Sequence, residues 1–185
     1  VFTVPALPAS AWKLDDVIGS DTISLSLEHR SRYEGLSDPF RPANAGKAYT
    51  DVIAMRTLLH ARVKLPSGFT VGAELQDSRT FIDNDTALNT TIVNPAELLQ
   101  LYLQYDGEYK GGQLRARGGR ITMDVGSRRF VARNRFRNTI NCFSGIDLDW
   151  HGSGEREGRN LRAFVTLPVQ REPCLLYTSP SPRDQ

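Results

Sequence analysis

The 185-residue chain carries 23 Lys and Arg against 21 Asp and Glu, a formal net charge of +2, and is 39% hydrophobic and 24% charged. That balance excludes a disordered polyelectrolyte, and the small net charge argues against a protein whose whole surface binds nucleic acid. No run approaches the roughly 18 apolar residues of a membrane helix, which leaves a transmembrane β-barrel open, because barrel strands alternate apolar and polar residues and average out as hydrophilic.

The opening stretch, VFTVPALPASAW, reads as the tail of a secretory signal with a small-residue Ala9-Ser10-Ala11 site before Trp12, or equally as an ordinary Pro/Ala-rich arm. Residues 1–11 are therefore expected to be a signal remnant, with the folded part beginning at Trp12.

From Thr22 the pattern has period two. Ile23, Leu25, Leu27, His29, Ser31 and Tyr33 share one face, and Ser24, Ser26, Glu28, Arg30 and Arg32 the other, as in a strand between an apolar and a wet medium. Gly35 to Ala48, rich in Gly, Pro and Asn, predicts a long loop. A second strand sets Met55, Thr57, Leu59, Ala61, Val63 and Leu65 against Arg56, Leu58, His60, Arg62 and Lys64, and Pro66-Ser67-Gly68 is a tight turn.

A third strand opposes Phe69, Val71, Ala73 and Leu75 to Thr70, Gly72, Glu74 and Gln76, followed by a polar connection from Asp77 to Pro95. In the fourth, Leu99, Leu101, Leu103 and Tyr105 oppose Gln100, Tyr102 and Gln104; helix propensity alone would allow AELLQLYLQY to be helical, but its neighbours favour a strand. A turn over Asp106 to Gly112 leads to a fifth strand with Arg115 and Arg117 on one face and Leu114 and Ala116 on the other, where Gly118-Gly119 predicts a bulge. After a long Arg-rich connection, a sixth strand sets Ile146, Leu148 and Trp150 against Asp147 and Asp149. A short turn from Gly152 to Gly158 precedes a seventh, where Leu161, Ala163, Val165, Leu167 and Val169 alternate with Arg162, Phe164 and Thr166.

Connections alternate long and short, as in an antiparallel meander with loops at one end and turns at the other. The predicted strands are roughly 9 to 13 residues, near the 9–11 that cross a bilayer at a tilt and longer than the usual five or six. The fold class is all-β: an antiparallel up-and-down transmembrane β-barrel, truncated to about seven strands. A soluble β-sandwich or lipocalin-like barrel would show a mixed-sign outer face poorer in arginine. Seven strands leave two open edges, which lipid does not tolerate, so this piece alone is expected not to form a pore.

The segment Gln113 to Thr139 concentrates Arg115, Arg117, Arg120, Arg128, Arg129, Arg133, Arg135 and Arg137 against the single acid Asp124. Guanidiniums so close repel one another unless water or an anionic partner screens them. Residues 174–185, CLLYTSPSPRDQ, can be encoded largely by a transposase sequencing adapter beginning TGTCTCTTATACACATCT. They are expected to be non-native, leaving 12–173 as barrel sequence; a Ser/Pro-rich linker is the alternative.

LSLEHRSRYEG, AELQDSRTF, NPAELLQLYLQY, GSRRFVARNRFRNT with FSGIDLDW, and LRAFVTLPV together resemble the N-terminal part of the alginate-export family of outer-membrane β-barrels, over roughly Thr22 to Gln170. The most specific piece is Gly126 to Thr139 with Phe143 and Gly145. The resemblance implies a large monomeric barrel of around eighteen strands in the bacterial outer membrane. Its partners would be an anionic exopolysaccharide such as alginate, outer-membrane lipid and periplasmic export machinery, with no cofactor and no catalysis.

On that reading, inward-facing Arg30, Arg32, Arg56, Arg62, Lys64, Arg115, Arg117 and Arg162 form a basic wall that lowers the barrier to a polyuronate. By likeness to the family motif, Arg128, Arg129, Arg133, Arg135 and Arg137 sit on a segment at or folded into the lumen. For any one arginine, a structural pairing with Glu28, Glu74, Asp147 or Asp149 is an equally good expectation. A porin for small anions or uronate oligomers is the second reading. A soluble Arg-rich β-protein binding nucleic acid is the third, weakened because the central segment interleaves only Phe130 and Phe136.

Other chemistry finds little footing. Asp147 and Asp149 share a face but are not a glycosidase signature. His29, His60 and His151 lack ligand spacing, with His29 on the presumed lipid face near a strand end. His151-Gly152-Ser153-Gly154 is not a nucleophile elbow, and Cys142 and Cys174 form no metal or disulfide pattern.

Overall fold

The computed structural model describes residues 11–13, 21–37, 49–83, 92–129 and 131–170. The expected signal remnant, apart from Ala11, and the adapter-like stretch 174–185 lie outside these residues, as do Phe130 and much of the first two long connections. Eight antiparallel strands pair in strict chain order in one sheet: β1 (Ala11–Lys13), β2 (Ile23–Ser37), β3 (Tyr49–Lys64), β4 (Phe69–Asp83), β5 (Asn94–Glu108), β6 (Gly112–Ile121), β7 (Phe143–Gly152) and β8 (Asn160–Pro168). β2 to β8 are the seven expected strands, and β1 adds a short partner to β2 through Trp12 opposite Leu27. Among the described residues the sheet is open, with β1 and β8 at its edges.

Several boundaries move. β2 to β5 are 15, 16, 15 and 15 residues long, because ladder pairing continues where the apolar alternation stops. Ile23 opposite Val63 through Ser37 opposite Tyr49 is one unbroken register, so Gly35 lies in a strand rather than a loop. β4 likewise takes Asp77 to Asp83 from the expected polar connection. The turn after β5 shrinks to 109–111, closed by reciprocal backbone bonds between Tyr109 and Gly112.

The bulge expected at Gly118-Gly119 is absent: β6 keeps continuous register with both neighbours. Gly119 serves close packing instead, whereas a Cβ at Gly118 would meet nothing within 4 Å. Gly119 (φ +125°) pairs with Gly145 (φ +156°) across β6 and β7, and a Cβ there would lie 2.4 Å from the Leu101 carbonyl oxygen or 2.1 Å from that of Val165. Register shifts occur instead between Glu74 and Leu75 and between Gln76 and Ser78 on β4. The first leaves Leu99 as the extra residue of β5 and turns it inward, fully buried, which corrects its expected place on the lipid face.

The burial of this sheet is inverted relative to a soluble one. Ile23, Leu59, Leu75, Leu101, Leu103, Ile146, Val165 and Leu167 stand exposed on one face, Val165 at 81%. On the other, Arg56, Glu74, Gln76, Ser78, Gln100 and Asp147 are all at most 5% exposed. The cover is the connection 122–142, which leaves β6 and folds back over the polar face. Beneath it lie two small apolar clusters, Leu58, Leu99, Ile140 and Cys142, and Tyr102, Ile121, Met123 and Phe143.

The exposed apolar face is a band. At the short-turn end Phe69 packs on Tyr105, ring centroids 5.1 Å apart, and the indole of Trp150 donates to the Tyr109 carbonyl at 2.8 Å. At the other side a polar row crosses the same face: His29 bonds Thr57 at 2.9 Å, and Asp77, opposite Thr57, pairs with Arg79. His29 thus lies in the middle of β2, not near a strand end. Phe69 to Asp77 spans about 27 Å along β4 at roughly 3.4 Å per residue, or about 21 Å at a tilt of about 40°, close to the roughly 25 Å apolar belt of outer-membrane barrels.

Candidate functional site

The strap 122–142 is tied to the wall by side chains that strand alternation aims at the polar face. Arg30 donates from Nη1 to the carbonyl of Arg135 at 2.8 Å and from Nη2 to that of Arg137 at 3.0 Å. Arg32 donates to the carbonyl of Phe136 at 2.6 Å and lays its guanidinium 4.5 Å from the centre of the Phe136 ring. Arg56, 2% exposed, donates to the carbonyls of Arg135 and Arg137 at 3.0 and 3.1 Å and to Glu28 at 2.9 Å. Arg162 likewise donates to the carbonyl of Asp124 at 2.7 Å, so four of the expected wall arginines hold protein carbonyls.

Neutral side chains complete the fastening. The Asn138 amide donates to the carbonyls of Met55 and Ile92 at 3.1 and 2.7 Å, while Ser78 donates to the Asn138 carbonyl at 2.8 Å. Gln76 accepts from the Ile140 N–H at 3.0 Å and Gln100 from that of Thr122 at 2.9 Å. Strand alternation flags Gln76 and Gln100 as inward polar groups, but Asn138 has no such signal, because its partners come from three separate parts of the chain.

The expected pairing of arginines with acids is present for several. Arg133 bonds Glu74 and the Thr122 hydroxyl, each at 2.6 Å, and its own N–H donates to Asp124 at 2.8 Å. Asp147, 2% exposed, accepts from Arg117 at 2.7 Å and from Arg162 through both oxygens at 2.9 and 3.1 Å. Arg115 meets Asp106 at 2.8 Å, Arg120 meets Glu97, and Arg32 meets Glu34. Arg128 reaches Asp124 only at 3.5 Å, with its side chain largely exposed.

Several cations stand outside these pairs, and three of them, Arg62, Lys64 and Arg135, line two clefts. Among the described residues no acid lies within ion-pair distance of Arg62, Lys64, Arg129, Arg135 or Arg137. Arg62 and Lys64 line a cleft of about 510 Å³ at the short-turn end, with Thr70, Gln104, Asp106 and Arg115. Arg135 and Arg128 line a second cleft of about 650 Å³ at the exposed side of the strap, with Asn134 and Phe136. Arg129 and Arg137 line neither cleft.

An up-and-down sheet with a bare apolar belt on one face and a polar face covered by one of its own connections is the wall of a membrane β-barrel. The chain belongs to the alginate-export family, whose model matches residues 21–176. That membership places it among outer-membrane channels for polysaccharide export. No curated protein and no solved structure matches it.

Proposed function

We propose that this chain forms part of an outer-membrane channel that moves an anionic, alginate-like polysaccharide outward without catalysis. Further strands of the full-length protein would close the wall between β8 and β1, since an open edge cannot face lipid. The observation that carries the reading is the surplus of guanidinium and ammonium groups on the inner face, at Arg62, Lys64, Arg129, Arg135 and Arg137, after the buried acids have been paired. A polyuronate bears one carboxylate per sugar, and spaced, partly hydrated cations compensate that charge without trapping the polymer.

The inner arginines divide by task on this reading. Arg30, Arg32, Arg56, Arg117 and Arg133 hold the strap and wall in shape, while Arg62, Lys64 and Arg115 at the short-turn mouth and Arg128, Arg129, Arg135 and Arg137 on the strap face the polymer. In outer-membrane barrels the short turns are periplasmic, so the mouth cleft meets the polymer first. The test is planar-bilayer recording of the full-length protein with and without polymannuronate. Anion-selective current blocked by the polymer is expected. Current indifferent to polymer would replace this reading with a small-anion porin, and failure to insert would overturn the membrane placement.

A further inference from the structure

The tip of the strap is a turn in which the Arg137 N–H bonds the Asn134 carbonyl at 3.2 Å, with Arg135 and Phe136 at its two central positions. A turn tip ordinarily offers carbonyl oxygens to its surroundings, and these would repel an anion. Here the carbonyls of Arg135, Phe136 and Arg137 are all drawn onto the wall by Arg30, Arg32 and Arg56. The tip contributes Arg135 and Phe136 to the lining of the 650 Å³ cleft, beside Arg128 and Asn134. Asp124, the acid of that cleft, is occupied by the Arg133 N–H at 2.8 Å and by Arg128 at 3.5 Å.

Phe136 is 75% exposed although it lies on the wet face of the sheet. Its ring is held from behind by the Arg32 guanidinium, which also grips its carbonyl, so the open face is presented in one orientation. An exposed apolar ring in a cleft lined by Arg128 and Arg135 matches a ligand with an apolar face and a carboxylate at its edge. The pyranose ring of a uronic acid has both: axial C–H groups for the phenyl face and a planar carboxylate for the guanidinium fork. The cleft volume falls within the roughly 300–1,000 Å³ of small-ligand sites.

We propose that Phe136 and Arg135 form a stacking subsite for one pyranose uronate unit, and that Arg30, Arg32 and Arg56 are its positioning residues. This rests on the export reading and sharpens it, because a small inorganic anion or a flexible polycarboxylate has no ring face to offer. The subsite makes the channel recognise the sugar as well as the charge. Its hold is weak and local, so a passing chain exchanges one unit for the next.

The test compares three blockers of the full-length channel in a planar bilayer: a mannuronate hexamer, hexaglutamate and hexathymidylate. In the wild type the mannuronate hexamer should block at a lower concentration than hexaglutamate of equal charge. Phe136→Ala should raise its half-blocking concentration about three- to tenfold and leave that of hexaglutamate unchanged, while Phe136→Trp should restore the sugar block. Arg135→Ala should weaken both. Heat-modifiable migration on cold electrophoresis equal to wild type verifies that the variants are folded.

Equal block of the wild type by sugar and peptide, or a sugar block indifferent to Phe136→Ala, would overturn the subsite while leaving polyanion export standing. Hexathymidylate block relieved by Phe136→Ala, with no such effect on the sugar, would overturn it in favour of a nucleic-acid ligand. No block by any of the three would remove the export reading itself.

Discussion

Replacing Arg133 by Ala tests whether the strap is part of the folded wall. The Arg133 side chain is 14% exposed and that of Glu74 5%, and their 2.6 Å contact is joined by the bond from Arg133 to Thr122. Removing the guanidinium leaves the Glu74 carboxylate buried, with the Gln100 amide still donating to it. Breaking one partner of a buried pair costs about 3–5 kcal/mol, and the remaining Gln100 contact puts the expectation at about 3 kcal/mol. Arg133→Ala with Glu74→Gln removes the stranded charge as well, so the double variant should be more stable than Arg133→Ala by about 1–3 kcal/mol. The assay is urea unfolding of the full-length protein in detergent micelles, followed by tryptophan emission and circular dichroism. If Arg133→Ala unfolds within about 0.5 kcal/mol of wild type, Arg133 is not a buried anchor and the strap is not fastened as described.

Four shorter predictions follow from the same geometry. Asn138→Ala removes the amide that reaches carbonyls on β3 and at Ile92; it should cost about 1–3 kcal/mol and give a noisier open current in single-channel records. Gly145→Val puts a Cβ 2.1 Å from the Val165 carbonyl oxygen, so the yield of folded, heat-modifiable protein on cold electrophoresis should collapse. The double change Arg62→Ala, Lys64→Ala should slow polymannuronate block several-fold at low salt, with the difference from wild type closing in high salt as screening removes the steering. The 185-residue chain expressed alone should give no conductance, because among the described residues β1 and β8 are open edges of the sheet.

The architecture is largely legible in the amino-acid sequence, and for a physical reason. A strand between lipid and water alternates by necessity, so Ile23 to Tyr33 or Phe69 to Gln76 announce both their conformation and their two environments. The failures came where alternation ceased to report structure. Gly35 and Asp77 to Asp83 look like loop because they carry no apolar face, yet their backbones are held by ladder bonds that composition does not encode. The pair Gly118-Gly119 suggested a bulge because glycine permits one, whereas the neighbouring backbone at Leu101 requires a missing side chain at Gly119. Leu99 was misplaced because it is the extra residue of β5 at a register shift against β4, so it turns inward beside Gln100 and Leu98 takes the outward place, while Leu101 and Leu103 keep theirs.

The inner face shows the division most clearly. That arginines accumulate there, beyond the acids able to pair with them, follows from the sequence, because charge and strand parity are local properties. Which of them remain available to a ligand was decided by the return of 122–142 across the sheet. Arg30 and Arg56, inward-facing like Arg62, are used on the carbonyls of residues 135 and 137, more than seventy positions away. Asn138 becomes a fastening and Phe136 an oriented open ring through contacts with residues 46 to 104 positions away. Sequence determined the alternation, the two faces and the excess of positive charge; the tertiary structure decided how that charge is divided, because a hydrogen bond between distant segments exists only once the chain has brought them together.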